Sequence, residues 1–261
     1  MRVFAIFAAH LRKGAKVLLQ YRGDAVISGV SLIIQQVVAL IGVVVIVSIA
    51  GNIGGWDLHD IILLYSFFLM INALNQALFD GVWNIGNVYV RYGRLDVLLT
   101  RPVSPFLQLI CNRYDFSAFA LFIFGVGVSA WALYMAGVAF SIGIIFMYVL
   151  FLVCGVVITT SLYLIFNATN FWLVRGNEVA DLMQTVEEFS KYPVHIFPTV
   201  IQVLLTFILP FAFTAFYPAS ILTGRMEVSV IILLPVVSVV IMFVASLVWR
   251  AGLKSYNSTG S

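Results

Sequence analysis

Long apolar runs recur along this sequence, each near the roughly 20 residues a helix needs to cross ~30 Å of hydrocarbon. They fall at about 25–50, 59–81, 114–135, 141–168, 198–217 and 229–249. One soluble core could not hide so much apolar surface. Of the 261 residues, 62% are hydrophobic and 10% charged, well outside the soluble range. The expected fold class is all-α: a polytopic membrane protein with one six-span domain over 23–254. No stretch is long and polar enough to make a second, soluble domain.

The placement of basic residues sets the orientation. Arg2, Arg12, Lys13, Lys16, Arg22, Arg91, Arg94, Arg101, Arg113, Arg175, Lys191, Arg250 and Lys254 fall on one side of a six-span chain, and Arg225 alone on the other. The positive-inside rule makes the first side cytoplasmic, together with both termini and segments 82–113 and 169–197. The connectors 51–60 and 136–141 contain glycine and lack Lys and Arg.

Residues 1–22 read as an amphipathic interface helix. At about 100° per residue, Phe4, Phe7, Leu11 and Leu18 gather on one side, with Arg12, Lys13, Lys16 and Gln20 nearly opposite. This stretch lacks the apolar run and cleavage site of a signal peptide. Residues 255–261 are too short and polar to fold. Cys111 and Cys154 are isolated, with neither disulfide nor metal spacing, and read as small buried hydrophobes.

Segment 176–192 carries a helical apolar stripe of Val179, Leu182, Met183 and Val186, with Glu178, Asp181, Glu187 and Glu188 on other faces. It reads as an acidic amphipathic helix on the cytoplasmic side, stopped by Pro193 and Pro198. Pro210 and Pro218 each remove a helical donor from the fifth span and its continuation. A kink or a re-entrant element between spans five and six is therefore expected.

Catalytic signatures are missing. There is no GxxxxGK[ST] loop, no HExxH and no GxSxG elbow; His10, His59 and His195 lie far apart. Neither enzyme activity nor a metal or cofactor site is expected in this chain. Only Asp60, Asp80 and Asp115 approach the spans, all near span ends, which weighs against an ion-coupled carrier. Neutral polar groups instead gather in what would be the cytoplasmic halves of the spans. Gln35, Asn72, Gln76, Thr160 and Gln202 are candidates for a translocation path. Interhelical hydrogen bonding would explain the same residues.

One excursion breaks the hydrocarbon pattern. In Arg91–Pro105, Leu95, Leu98 and Leu99 are spaced as one face of a short helix, with Arg91, Arg94 and Asp96 around it and Arg101 after it. Gly93 loosens its start, and Pro102 and Pro105 forbid its continuation. Leucines exposed in a water-filled loop imply a protein partner. On this reading Leu98→Asp should leave insertion intact and abolish binding to that partner.

The run GRLDVLLTRPVSP, following a second span, resembles the coupling loop of ABC-2-type transporter permeases. The run EFSKYPVHIFPTVIQVLLTFILPFAFTAFYPASILTGR is similar to the fifth-span region of their six-span branch. The resemblance implies a type II ABC exporter fold, in a homo- or heterodimer of permeases. A separate ABC ATP-binding subunit would bind the ATP and Mg and drive each half. It further implies that Arg91, Arg94, Leu95, Asp96, Leu98, Leu99 and Arg101 face that ATPase, and that Pro210–Thr223 form the re-entrant element. The implied location is the bacterial cytoplasmic membrane, with lipid as a partner and nucleic acid not. A secondary carrier or channel, or a membrane scaffold, are the other classes. An adjacent gene with GxxxxGK[ST] would favour the exporter, and transport by this chain alone the carrier.

Overall fold

The computed structural model describes residues 20, 22–112, 114–173 and 176–256. The proposed interface helix lies almost wholly outside them, as do Arg113, Arg175 and the last five residues. Among the described residues the chain is helical, without a named strand; an isolated bridge between Ile53 and Trp56 shapes the first connector.

Five helices are long and apolar enough to cross a membrane. They are α1 (Arg22–Ala50), α2 (Leu58–Trp83, continued by π-turns Ile85–Val90), α5 (Ala118–Met135), α6 (Ile142–Ala168, continued to Phe171) and α10 (Leu233–Ser255, preceded by a 3-10 turn from Val228). Between them lie α3 (Leu95–Leu99), α4 (Pro105–Asn112), α7 (Gly176–Glu187), α8 (Thr199–Val203) and α9 (Phe216–Leu222). The chain is thus an all-α polytopic membrane protein.

The hub is α2. Its apolar stretch is 78% buried, against 11% for α1. Tyr65, Phe67, Met70 and Ile71 are fully enclosed by α5, α6 and the segments after α7. The outer helices leave Ile27, Val38, Ile49, Val239 and Phe243 exposed, as lipid-facing surfaces should be. Gly81 explains one close approach. A Cβ there would stand 2.1 Å from the Leu109 carbonyl oxygen, so α4 packs its backbone directly on α2.

The return between α6 and α10 is not the expected one. Helices α6 and α10 run parallel: Ser238 Oγ lies 3.3 Å from the Cys154 carbonyl near the start of α10, and Trp249 and Gly252 pack on Phe171 near its end. The chain between them must return once across the bundle. Segment 176–196 makes that return, antiparallel to α2. Asn177 meets Gly86, Glu187 is hydrogen-bonded by Asn72, Lys191 lies over the Phe68 ring, and His195 reaches the Gly54 carbonyl. At 1.5 Å per residue it is roughly 30 Å long, one hydrocarbon thickness.

Two expectations are corrected by this register. Segment 176–192 packs along α2 instead of beyond its end, and 198–217 is not one continuous helix. Thr199–Ile208 and Phe211–Leu222 are instead two short arms bent by 74°. The sequence misleads because 176–196 carries five charges and has no apolar run. Within it Glu187 is buried and hydrogen-bonded by Tyr163 and Asn72, whereas Glu178, Asp181 and Glu188 are exposed.

Arg22 and Tyr256 lie at the same end of the bundle. Gly29 near the start of α1 packs on Ala120 near the start of α5, and Tyr256 sits beside Asp96 of α3. That end also carries Arg91, Arg94, Arg101, Arg250 and Lys254. Lys191 leaves the basic tally, because it lies inside the bundle over Phe68.

Candidate translocation path and coupling loop

A polar seam runs down α2 at helical spacing: Asn72, Asn75, Gln76, Asp80 and Asn84. Three of these asparagines donate to the carbonyl four residues back: Asn72 to Phe68, Asn75 to Ile71 and Asn84 to Asp80, at 2.8–3.1 Å. Each such bond fixes the amide and turns its oxygen outward. Thr160 donates to the freed Asn75 Oδ1 at 2.5 Å, and Gln76 donates to Asp115 Oδ2 at 2.9 Å. Buried polar groups in a membrane interior require this pairing.

Beside the seam lies a cavity of about 300 Å³, lined by Asn72, Asn75, Gln76, Asp80, Trp83, Tyr163 and Gln184. The Trp83 and Tyr163 rings meet edge to face, with centroids 5.1 Å apart. At its upper limit Glu187 is buried and accepts hydrogen bonds from the Tyr163 hydroxyl and the Asn72 amide. The cavity therefore offers amides, the Asp80 carboxylate and an aromatic edge.

Of the expected path residues, Asn72 and Gln76 line this cavity and Thr160 supports it through Asn75. Thr160 itself lines a second, apolar cleft. The other two lie elsewhere. Gln35 sits on the exposed face of α1 with Val26, Ile27, Val30, Ser31 and Ile34. Gln202 lies toward the opposite end and donates to the Phe197 carbonyl at 2.8 Å. The sequence reading missed Trp83, Tyr163, Gln184 and Glu187. Gln184 and Glu187 are three residues apart on α7, which was the available signal; their acidic neighbours disguised it as a solvated face. Glu187 is the buried acid of that segment, where an exposed one was expected.

The loop after α2 is tied to the bundle. Gly93 takes φ +64°, and α3 follows. Leu95 and Leu98 are buried against Val82, Ile85, Leu109 and Trp249. This corrects the expected leucine stripe: only Leu99 of the three faces out, accompanied by Tyr92 and Val97. Arg91, Arg94 and Arg101 are exposed around them. Gln108 of α4, itself buried, donates to the carbonyls of Leu98 at 2.9 Å and Val103 at 2.8 Å. One side chain thereby closes the whole loop. Burial, and then the neighbouring Asp96 carboxylate, push the Tyr256 hydroxyl above its ordinary pKa.

At the other end, the segment between His195 and Arg225 enters and leaves on the same side. His195 Nε2 lies 2.8 Å from the Gly54 carbonyl, and Arg225 donates to the Gly55 carbonyl at 2.9 Å. The turn falls at Leu209-Pro210, with Phe211 fully buried and the Thr214 carbonyl facing Gly155. Pro218 does not interrupt a helix as expected. It sits in the first turn of α9, where its missing N–H costs nothing. Arg225 pairs with buried Asp60, donating from Nε at 3.0 Å, rather than with Glu227. Asp57, His59 and Asp60 offer ligand atoms within 4.8 Å of one another. The guanidinium already on Asp60 opposes a cation there.

Residues 33–260 match the family model described as ABC-2 family transporter protein. No curated protein matches the chain. A match over nearly the whole described bundle places this chain in the ABC-2 transporter family, as a permease-type membrane component of an ABC transporter.

Proposed function

We propose that the chain is the membrane subunit of an ATP-driven exporter in the bacterial cytoplasmic membrane, with both termini cytoplasmic. Separate ATP-binding subunits, holding the ATP and Mg, drive it through residues 91–101. Two permeases, identical or related, form the path between them, and residues 1–22 act as an interface helix ahead of the membrane domain. The exposed residues Arg91, Tyr92, Arg94, Val97, Leu99 and Arg101 form the docking surface. Leu95, Leu98 and Asp96 anchor it.

The observation that carries this reading is the rigid mounting of the loop. Gln108 closes it, and α4 rests backbone to backbone on Gly81 of α2, the helix that bears the polar seam. A push on the loop therefore reaches α2 directly at Gly81, on the loop side of the break in helical geometry at Phe79. The cluster of basic residues at this end supports its cytoplasmic placement.

Co-reconstitution with an ATP-binding subunit tests the proposal. Transport into inverted vesicles should require hydrolysable ATP and stop when the partner's phosphate-loop lysine is replaced. A carrier reading draws on one observation, the buried Glu187 inside the bundle. Gradient-driven transport by the permease alone would favour that reading and overturn the exporter.

A further inference from the structure

The second cleft has about 430 Å³ and lies between α4, α6 and α10 at the Arg94 end. Its walls are mainly apolar, Phe106, Ile110, Val156, Val157, Met242 and Trp249 among them, with the hydroxyls of Ser104, Thr160, Ser161 and Ser246 between them. It follows α6 from Val156 to Leu164 and α10 from Met242 to Leu253, roughly 12–16 Å at 1.5 Å per residue. That depth is about one leaflet of a bilayer whose hydrocarbon core is ~30 Å thick. The long axis runs with the helices, as acyl chains do.

Its mouth carries one cation. Arg250 is exposed at the rim, with Lys254 one turn beyond. Among the described residues the ion pairs involve His59, Lys191 and Arg225, and none engages Arg250. We propose that this cleft binds one acyl chain of an anionic glycerophospholipid, with the phosphate on Arg250. Neutral walls one leaflet deep below a single guanidinium match that ligand and not a soluble anion or a peptide. The bound chain would also press on Phe106 and Ile110 of α4, the helix whose Gln108 holds the loop. Lipid composition would thus bear on the loop's rigidity. The proposal does not depend on an ATPase partner.

The test uses the whole chain reconstituted in vesicles containing dibrominated-acyl phosphatidylglycerol or phosphatidylcholine. Trp249 is the reporter, isolated as the fluorescence lost in Trp249→Phe. Quenching of that component should favour phosphatidylglycerol, and Arg250→Gln should weaken the preference about fivefold, the share of one basic residue at an anionic surface. Val157→Phe, which narrows the cleft, should reduce quenching by both lipids. Equal quenching by both lipids with no change in Arg250→Gln would overturn the headgroup assignment. Val157→Phe with full quenching but an altered oligomer size would overturn the lipid, and give the cleft to a second copy of the chain.

Discussion

His195 Nε2 lies 2.8 Å from the carbonyl oxygen of Gly54, so the far end of the α7 segment is tied to the connector between α1 and α2. The next carbonyl, that of Gly55, accepts from Arg225. Two adjacent carbonyls therefore hold both ends of the His195–Arg225 segment. This relationship makes the polar stretch 176–196 a return along α2 and the apolar stretch after it a hairpin.

That arrangement has a direct topological test. In a background lacking Cys111 and Cys154, His195→Cys should react with a membrane-impermeant maleimide from outside intact cells. Asn177→Cys should react only in inverted vesicles. Labelling of both from the same side would refute the return across the bundle.

The pair Asp60–Arg225 is expected to matter for stability. Asp60 is 2% exposed at its side chain and Arg225 32%. Breaking a buried pair costs about 3–5 kcal/mol, and the partial exposure of Arg225 lowers this to about 2–3 kcal/mol. Arg225→Gln should therefore lower the melting temperature in detergent. Adding Asp60→Asn should recover part of the loss, because the uncompensated charge is then removed.

Much of the fold was legible in the sequence for a simple reason. The helices that touch lipid must be long and apolar, and α1, α2, α5, α6 and α10 announce themselves that way. The return at 176–196 was hidden because the polar groups it does bury are paired inside the bundle. Glu187 is satisfied by Tyr163 and Asn72, and Lys191 by Glu188 and the Phe68 ring, so hydropathy carries no signal there. Asn72 and Gln76 could be picked out because polar residues on a central apolar helix stand out. Tyr163 and Gln184 come from helices whose facing depends on that concealed register. In the loop, spacing grouped Leu95, Leu98 and Leu99 on one face, but it could not say that α4 folds back to cover two of them.

The loop gives a contrast between neighbouring leucines. Leu99→Asp and Val97→Asp change exposed positions and should weaken ATPase co-purification while leaving folding unchanged. Leu98→Asp puts a charge against Trp249 and Leu109. It should destabilise the protein by several kcal/mol, as an unpaired buried charge does, so loss of partner binding in that variant would not report on docking. Co-purification measured beside thermal stability separates the two cases. Full-yield association of both exposed variants would remove 91–101 from the docking surface.

Gln108 offers the sharpest test of mechanical transmission. Its amide hydrogens go to Leu98 and Val103, at the two ends of that loop. Gln108→Leu keeps much of the volume but leaves both carbonyls without this donor, at about 1–3 kcal/mol for each that stays buried. The loop would still present Arg94, Val97 and Leu99, so ATPase binding and ATP hydrolysis should persist. What should fall is transport per ATP consumed, because a loosened loop moves without carrying α4 and Gly81 with it. A variant that transports with unchanged stoichiometry would show that the force reaches α2 by another route, with the continuous π-turns Ile85–Val90 as the remaining covalent path.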